Sequence, residues 1–177
     1  MNKFIKLMAL LSVFAVVFCG CTSKQTDPDA PDGFKIASSE EADYIFYVPE
    51  SWDVETSSLY TSAYLEVSGV KSSLSVTAYG MQFTDQTVED WWSTYTEQFT
   101  EAFDNFEVVK EDAVTMGGVE GKKYEYTATL AEGQYSFLCA AVVKNQYVYY
   151  MLYTATPENY SANLTDVESA ISYFEFK

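Results

Sequence analysis

Apolar positions along this chain recur at two periods, and the switch between them marks out its elements. "GFKIAS" and "DYIFYVP" (residues 33 to 49) are rich in β-branched and aromatic residues and read as strands. Pro49 closes the second, because proline has no N–H to donate to a ladder. "TSAYLEVSG" and "SSLSVTAYG" follow as a hairpin turning around Gly69-Val70-Lys71. In the latter, Leu74, Val76 and Ala78 fall on one face, and Ser73, Ser75 and Thr77 on the other. The period then lengthens. From residue 87 to 106, Val88, Trp91, Trp92, Tyr95, Phe99, Ala102, Phe103 and Phe106 recur at the spacing of one helical face. Thr87 is placed to cap this helix, and Glu89 and Asp90 complement the positive end of its dipole.

Strand periodicity returns in "FEVVKEDAVTM", turns at Gly117-Gly118, and continues in "GKKYEYTATL", where Tyr124, Tyr126, Ala128 and Leu130 alternate with polar residues. "AEGQ" and "KNQ" turn the chain into "YSFLCAAVV" and "YVYYMLYTA". Both runs are apolar on both faces, which predicts central strands covered on each side. Thr156-Pro157-Glu158 opens a second helix, with proline at the position helices tolerate, and Tyr160, Leu164, Val167, Ile171 and Phe174 form its buried stripe. Strands, helix, strands, helix is an α+β order: a mainly antiparallel β-sheet flanked by helices on both faces.

The first residues follow a different logic. Lys3 and Lys6 precede an apolar run from Leu7 to Phe18 that is too short for a typical membrane-spanning helix and has the layout of a secretory signal peptide. Gly20 and Cys21 follow. This junction resembles the lipobox of bacterial lipoproteins, with Phe18 and Cys19 standing where that motif usually has Leu and then Ala or Ser. The resemblance implies cleavage after Gly20, diacylglycerol on the Cys21 sulfur, and an anchor of two or more acyl chains, enough for stable attachment. The expected organisation is a signal peptide over 1–20, a lipidated Cys21 with a polar tether to residue 33, and one domain over 34–177. The expected location is the extracytoplasmic face of a bacterial membrane. Cys139 is then without a partner, and its apolar surroundings predict a buried, inert thiol.

Composition prunes the chemistry. The chain carries 26 acidic residues against 10 basic ones, a net charge of −16, with no histidine and no arginine. Imidazole bases, histidine-ligated metals and bidentate guanidinium forks are therefore absent. Nucleic acid is excluded as a partner, since nothing offsets its phosphates. Asp27, Asp29 and Asp32 are interrupted by Pro28 and Pro31 and miss the EF-hand pattern. Glu97 and Glu101, one helical turn apart, read as a solvated face. Asn159 and Asn163 match glycosylation sequons, which are coincidental in a bacterial lipoprotein. No metal and no cofactor is expected, and no motif selects a catalytic pair among the carboxylates.

A wider resemblance covers nearly all of residues 34 to 176. "YIFYVPESW" (Tyr44 to Trp52) resembles the opening of the PsbP family and its bacterial PsbP-like lipoproteins: an aromatic strand, a proline, then a tryptophan. "MGGVEGKKYEYTATLAEGQYSFLCAAVVKNQYVYYMLYTA" is similar to its central strands, and "ESAISYFEF" to its last helix. The resemblance implies an α/β/α sandwich without catalysis. The function expected is that of a membrane-tethered, non-catalytic binding or accessory module for an envelope protein. The alternative is a small-molecule or neutral-glycan binder using Trp/Tyr stacking. Trp52, Trp91 and Trp92 are the candidate contacts, although tryptophans in such patterns serve more often as core.

Overall fold

The computed structural model describes residues 30–56, 61–82, 85–131 and 133–177. The expected signal segment, with Gly20, then Cys21 and most of the expected tether, including Asp27 and Asp29, lie outside these residues. In chain order the elements are β1 (Phe34–Ile36), β2 (Tyr44–Ile45), β3 (Tyr47–Pro49), β4 (Asp53–Thr56), β5 (Thr61–Val67), β6 (Val70–Gly80), α1 (Val88–Ala102), β7 (Asp104–Met116), β8 (Val119–Leu130), β9 (Gly133–Lys144), β10 (Tyr147–Ala155), α2 (Pro157–Tyr173) and β11 (Glu175–Phe176).

One seven-stranded sheet, ordered β4-β5-β6-β10-β9-β8-β7, dominates the molecule. Every pairing in it is antiparallel. It consists of two meanders, β4–β6 and β7–β10, joined where β10 pairs with β6. Two-residue turns close three of its hairpins at Ser68-Gly69, Gly117-Gly118 and Asn145-Gln146, all with positive φ at both positions. That geometry matches the right-handed twist of the strands it joins. The first turn lies one residue ahead of the expected Gly69-Val70-Lys71, because Val70 and Lys71 are already paired with Val67 and Glu66. As their apolar runs predict, β9 and β10 are interior strands, and Leu138 to Val142 are fully buried.

The alternation along β9 splits the core in two. Leu138, Ala140 and Val142 pack with Trp52, Leu74, Val76, Met151, Tyr153 and the buried face of α2. Phe137, Cys139 and Ala141 point the other way and pack under α1 with Tyr124, Tyr126 and Val148. The expected sandwich is thus met in part. The fold is a mainly antiparallel sheet with two helices, and the sheet outweighs them. At about 1.5 Å per residue, the fifteen-residue α1 spans only some 22 Å. On its side of the sheet, Ser62, Ser73, Ser75 and Thr77 stay only half-buried.

Three boundaries differ from the sequence reading. Helix α1 ends at Ala102, not at residue 106: Phe103 is extended and donates its N–H to the Phe99 carbonyl, and Asn105 takes φ +54°. Phe106 reaches the same core from β7 instead. The "DYIFYVP" strand is broken at Phe46, which donates its N–H to Ser38 Oγ and accepts from Ala37 N–H. The break lets Tyr44-Ile45 pair with β11 while Tyr47–Pro49 pairs with β1. Finally, "ESAISYFEF" is not all helix, for α2 stops at Tyr173 and Glu175-Phe176 form β11.

At the start of α1 the local chemistry is as the sequence dictates. Asp90 N–H donates to Thr87 Oγ1 (3.2 Å) and Thr87 N–H donates to Asp90 Oδ2 (2.8 Å), a reciprocal cap. The Thr87 N–H foremost, and then the Thr87 hydroxyl (2.9 Å), donate to the Asp90 carboxyl and hold it below its ordinary range.

Candidate functional site

The three tryptophans proposed as contacts do not form one surface. Trp52 is fully buried, with its ring centroid 6.2 Å from that of Tyr153. It follows the tight turn after Pro49, whose carbonyl accepts the Trp52 N–H, and this tucks the ring beneath the sheet. Trp52 therefore presents nothing to a partner. Trp92 is 9% exposed and sandwiched among Tyr95, Tyr124 and Tyr126. Trp91 alone stays half-exposed, against Tyr95 and Tyr150. A stacking site built on these residues loses two of its three rings to the core.

Under α1 the buried polar groups are held in their neutral forms. Burial pushes the Cys139 thiol up, and pushes the Tyr95 and Tyr126 hydroxyls well above the ordinary phenol value. The two hydroxyls meet at 3.3 Å. A neutral, sealed thiol is the opposite of an activated nucleophile. Among the described residues no three His, Cys, Asp or Glu side chains come together as a metal site, and Glu97 and Glu101 stand exposed on α1.

The surface depressions are shallow and open. The larger, about 460 Å³, is lined by Thr115, Gly117, Gly118, Ser172, Phe174 and Phe176; the second, about 410 Å³, lies between Thr87, Glu89, Glu120 and Lys122. Neither encloses a ligand on all sides.

Charge is the exterior's distinguishing property. Every lysine among the described residues is already engaged. Lys110 pairs with Asp112 (2.6 Å), Lys122 with Glu111 (2.7 Å) and Lys123 with Glu168 (2.5 Å). Lys35 and Lys177 donate to the carbonyls of Glu50 and Glu40. Lys71 and Lys144 sit over the rings of Tyr64 and Phe176. Glu125 and Glu89 lie at the margin of these pairs, 3.8 Å from Lys110 and 3.5 Å from Lys122, whereas Glu97, Glu101, Asp104 and Glu107 form no ion pair with a described residue. The net charge is strongly negative, and among the described residues no lysine stands free of a partner.

One feature escaped the sequence reading. β7 is the terminal strand of the large sheet, and Val108 and Val109 on it are 42% and 64% exposed. Their run, "EVVKED", reads equally well as an inner strand with polar flanks. Only its lack of regular alternation hints at an edge.

Comparison with known proteins places the fold. No family profile matches the sequence, and no curated protein does. Among solved structures, cyanobacterial PsbP (CyanoP) from Synechocystis sp. PCC 6803 superposes with a TM-score of 0.62 at 12% identity, over 86% of this chain and 98% of that one. LpqN of Mycobacterium tuberculosis superposes at 0.55 and 9% identity, over 76% and 83% of the two chains. The Saccharomyces cerevisiae Ran-binding protein Mog1p superposes at 0.56 and 11% identity, over 81% and 95%. At these identities the likeness is one of architecture. The chain has a PsbP-like fold.

Proposed function

We infer that the protein is a lipoprotein, cleaved after Gly20 and lipidated on Cys21, which holds a non-catalytic accessory domain at the extracytoplasmic face of a bacterial membrane. There it binds an envelope protein. The observation that carries the binding reading is the excess of acidic groups on the exterior, with each described lysine engaged within the protein. Such a surface is repelled by anionic headgroups and attracts a partner with a basic face. Two of the similar structures fit this reading, being described as involved in cell envelope biogenesis and as Ran-binding.

The test is capture from solubilised envelope by the lipidated chain, repeated at rising salt. A single protein retained near stoichiometry at low salt and released at high salt supports the reading, because screening acts on the charge that drives it. Retention of nothing, or of proteins indifferent to salt, overturns it. Cys21→Ser addresses the anchor separately: the variant should leave the membrane fraction, and a variant that stays there refutes lipidation at this position.

A further inference from the structure

The long free edge at β7 fits a partner that enters as an extended strand. β7 runs for thirteen residues at the end of the seven-stranded sheet, paired only on its β8 side. No described backbone group bonds to its other side. From Lys110 to Met116 its register with β8 is unbroken, roughly 20 Å of ladder with half its backbone groups unpaired. Just before that stretch the register shifts between Val108 and Lys110, leaving Val109 as the extra residue of a bulge. There the two adjacent valines stand exposed.

Proteins usually blunt a bare edge with charge or a bulge to prevent self-pairing. β7 has both, and the sign of the charge is selective. Asp104, Glu107, Glu111 and Asp112 outnumber Lys110 along the strand. A second copy of this chain would bring a net −16 against −16, so self-pairing is disfavoured, whereas a basic segment is drawn in. The geometry points to the β7 edge as a docking site for an extended basic segment of a protein partner, added as an eighth strand, with Val108 and Val109 covered by its apolar side chains. Main-chain bonds supply affinity in this mode of recognition, and the flanking side chains supply choice. The assignment rests on the accessory reading above and names the class of partner it needs.

The probe is a short synthetic peptide alternating lysine with valine and threonine, offered to the full lipidated chain in detergent. Its N-methylated counterpart keeps every charge and side chain but cannot donate backbone hydrogen bonds. The peptide should bind and slow amide exchange along β7, and N-methylation should weaken it by at least about tenfold, the loss of a few net hydrogen bonds. The double variant V108S/V109S should weaken binding as well, without altering exchange in β9 and β10. Equal binding of the N-methylated peptide, exchange unchanged in β7, or no binding overturns the edge assignment. Salt-sensitive capture of an envelope protein that persists alongside such a result leaves the accessory reading standing.

Discussion

Trp92 lies flat on Tyr124, with ring centroids 3.9 Å apart and planes within 5°. This stack fastens α1 to β8, yet the Tyr124 hydroxyl is buried with no hydrogen-bond partner among the described residues. The ring and the hydroxyl therefore act in opposite senses. Trp92→Ala should destabilise the fold by about 3–5 kcal/mol through the cavity it leaves. Tyr124→Phe should be neutral or stabilising by up to about 1 kcal/mol, since it removes an unsatisfied polar group. Urea unfolding of the two variants beside the parent checks both signs. A Tyr124→Phe variant that unfolds much more readily would mean the hydroxyl is bonded after all.

Cys139 offers a second readout of the same layer. It is fully buried, and burial alone pushes its thiol up. Thiol reagents should modify it only at the rate at which the protein opens, and rapidly once denatured. Cys139→Ser should cost about 1–3 kcal/mol, for it places a hydroxyl among apolar neighbours. Fast labelling of Cys139 in the native protein, mapped by peptide mass, would contradict the sealed site.

Alkaline pH should unfold the protein cooperatively. Tyr95 and Tyr126 are raised well above the ordinary value of 10.0, first of all by burial. Their stabilisation is complete below the unfolded phenol value and is lost as pH rises beyond it, because the unfolded chain releases protons the folded one retains. Each such tyrosine should lower stability by about 1.4 kcal/mol per pH unit in that range. The phenolate absorbance due to Tyr95 and Tyr126, taken as the difference between the parent and the Tyr95→Phe/Tyr126→Phe variant so that exposed tyrosines such as Tyr79 cancel, should appear together with loss of ellipticity above pH 10. Ionisation of that pair that clearly precedes unfolding would show it to be less protected than its packing implies.

Two glycines on β8 and its turn separate close approach from backbone conformation. A Cβ on Gly121 would collide with the Ala141 carbonyl oxygen of the neighbouring strand and lie 2.8 Å from Val142 Cγ1. Gly118 has open space around it but sits at φ +75°. Gly121→Ala should therefore cost about 3 kcal/mol, the upper range for overpacking, and Gly118→Ala about 1 kcal/mol from conformation alone. Thermal melts of the two would reveal the order; the reverse order would show that β8 and β9 can part without strain.

What the sequence discloses here is what neighbouring residues decide. The Gly-Gly turn, the Thr87 cap and the Leu74/Val76 alternation are local, and the structure keeps each of them. The losses are all long-range. Phe103 and Phe106 continue the helical spacing of α1, so nothing nearby announces that Asn105 will turn the chain left-handed. Phe174 falls three residues after Ile171 and reads as one more helical turn, but it is already extended at the end of α2; the strand that follows it, β11, depends on a partner, Tyr44-Ile45, far earlier in the chain. Trp91 and Trp92 share one helical face, and only the position of Tyr124 beneath them decides which ring is covered. Strand order is likewise non-local, so the exposed edge at Val108-Val109 left no more trace in the sequence than an irregular alternation.

The small sheet formed by β1 and β3 has a mechanical consequence. Its register joins Phe34 to Pro49, Lys35 to Val48 and Ile36 to Tyr47, and Pro49 has no N–H to contribute. A pull applied to the chain ahead of β1 reaches this three-residue pair first and peels it from its Phe34 end, one bond at a time. The seven-stranded sheet lies further along the load path. β1 therefore acts as a weak link in series, yielding under tension so that the seven-stranded sheet keeps its shape.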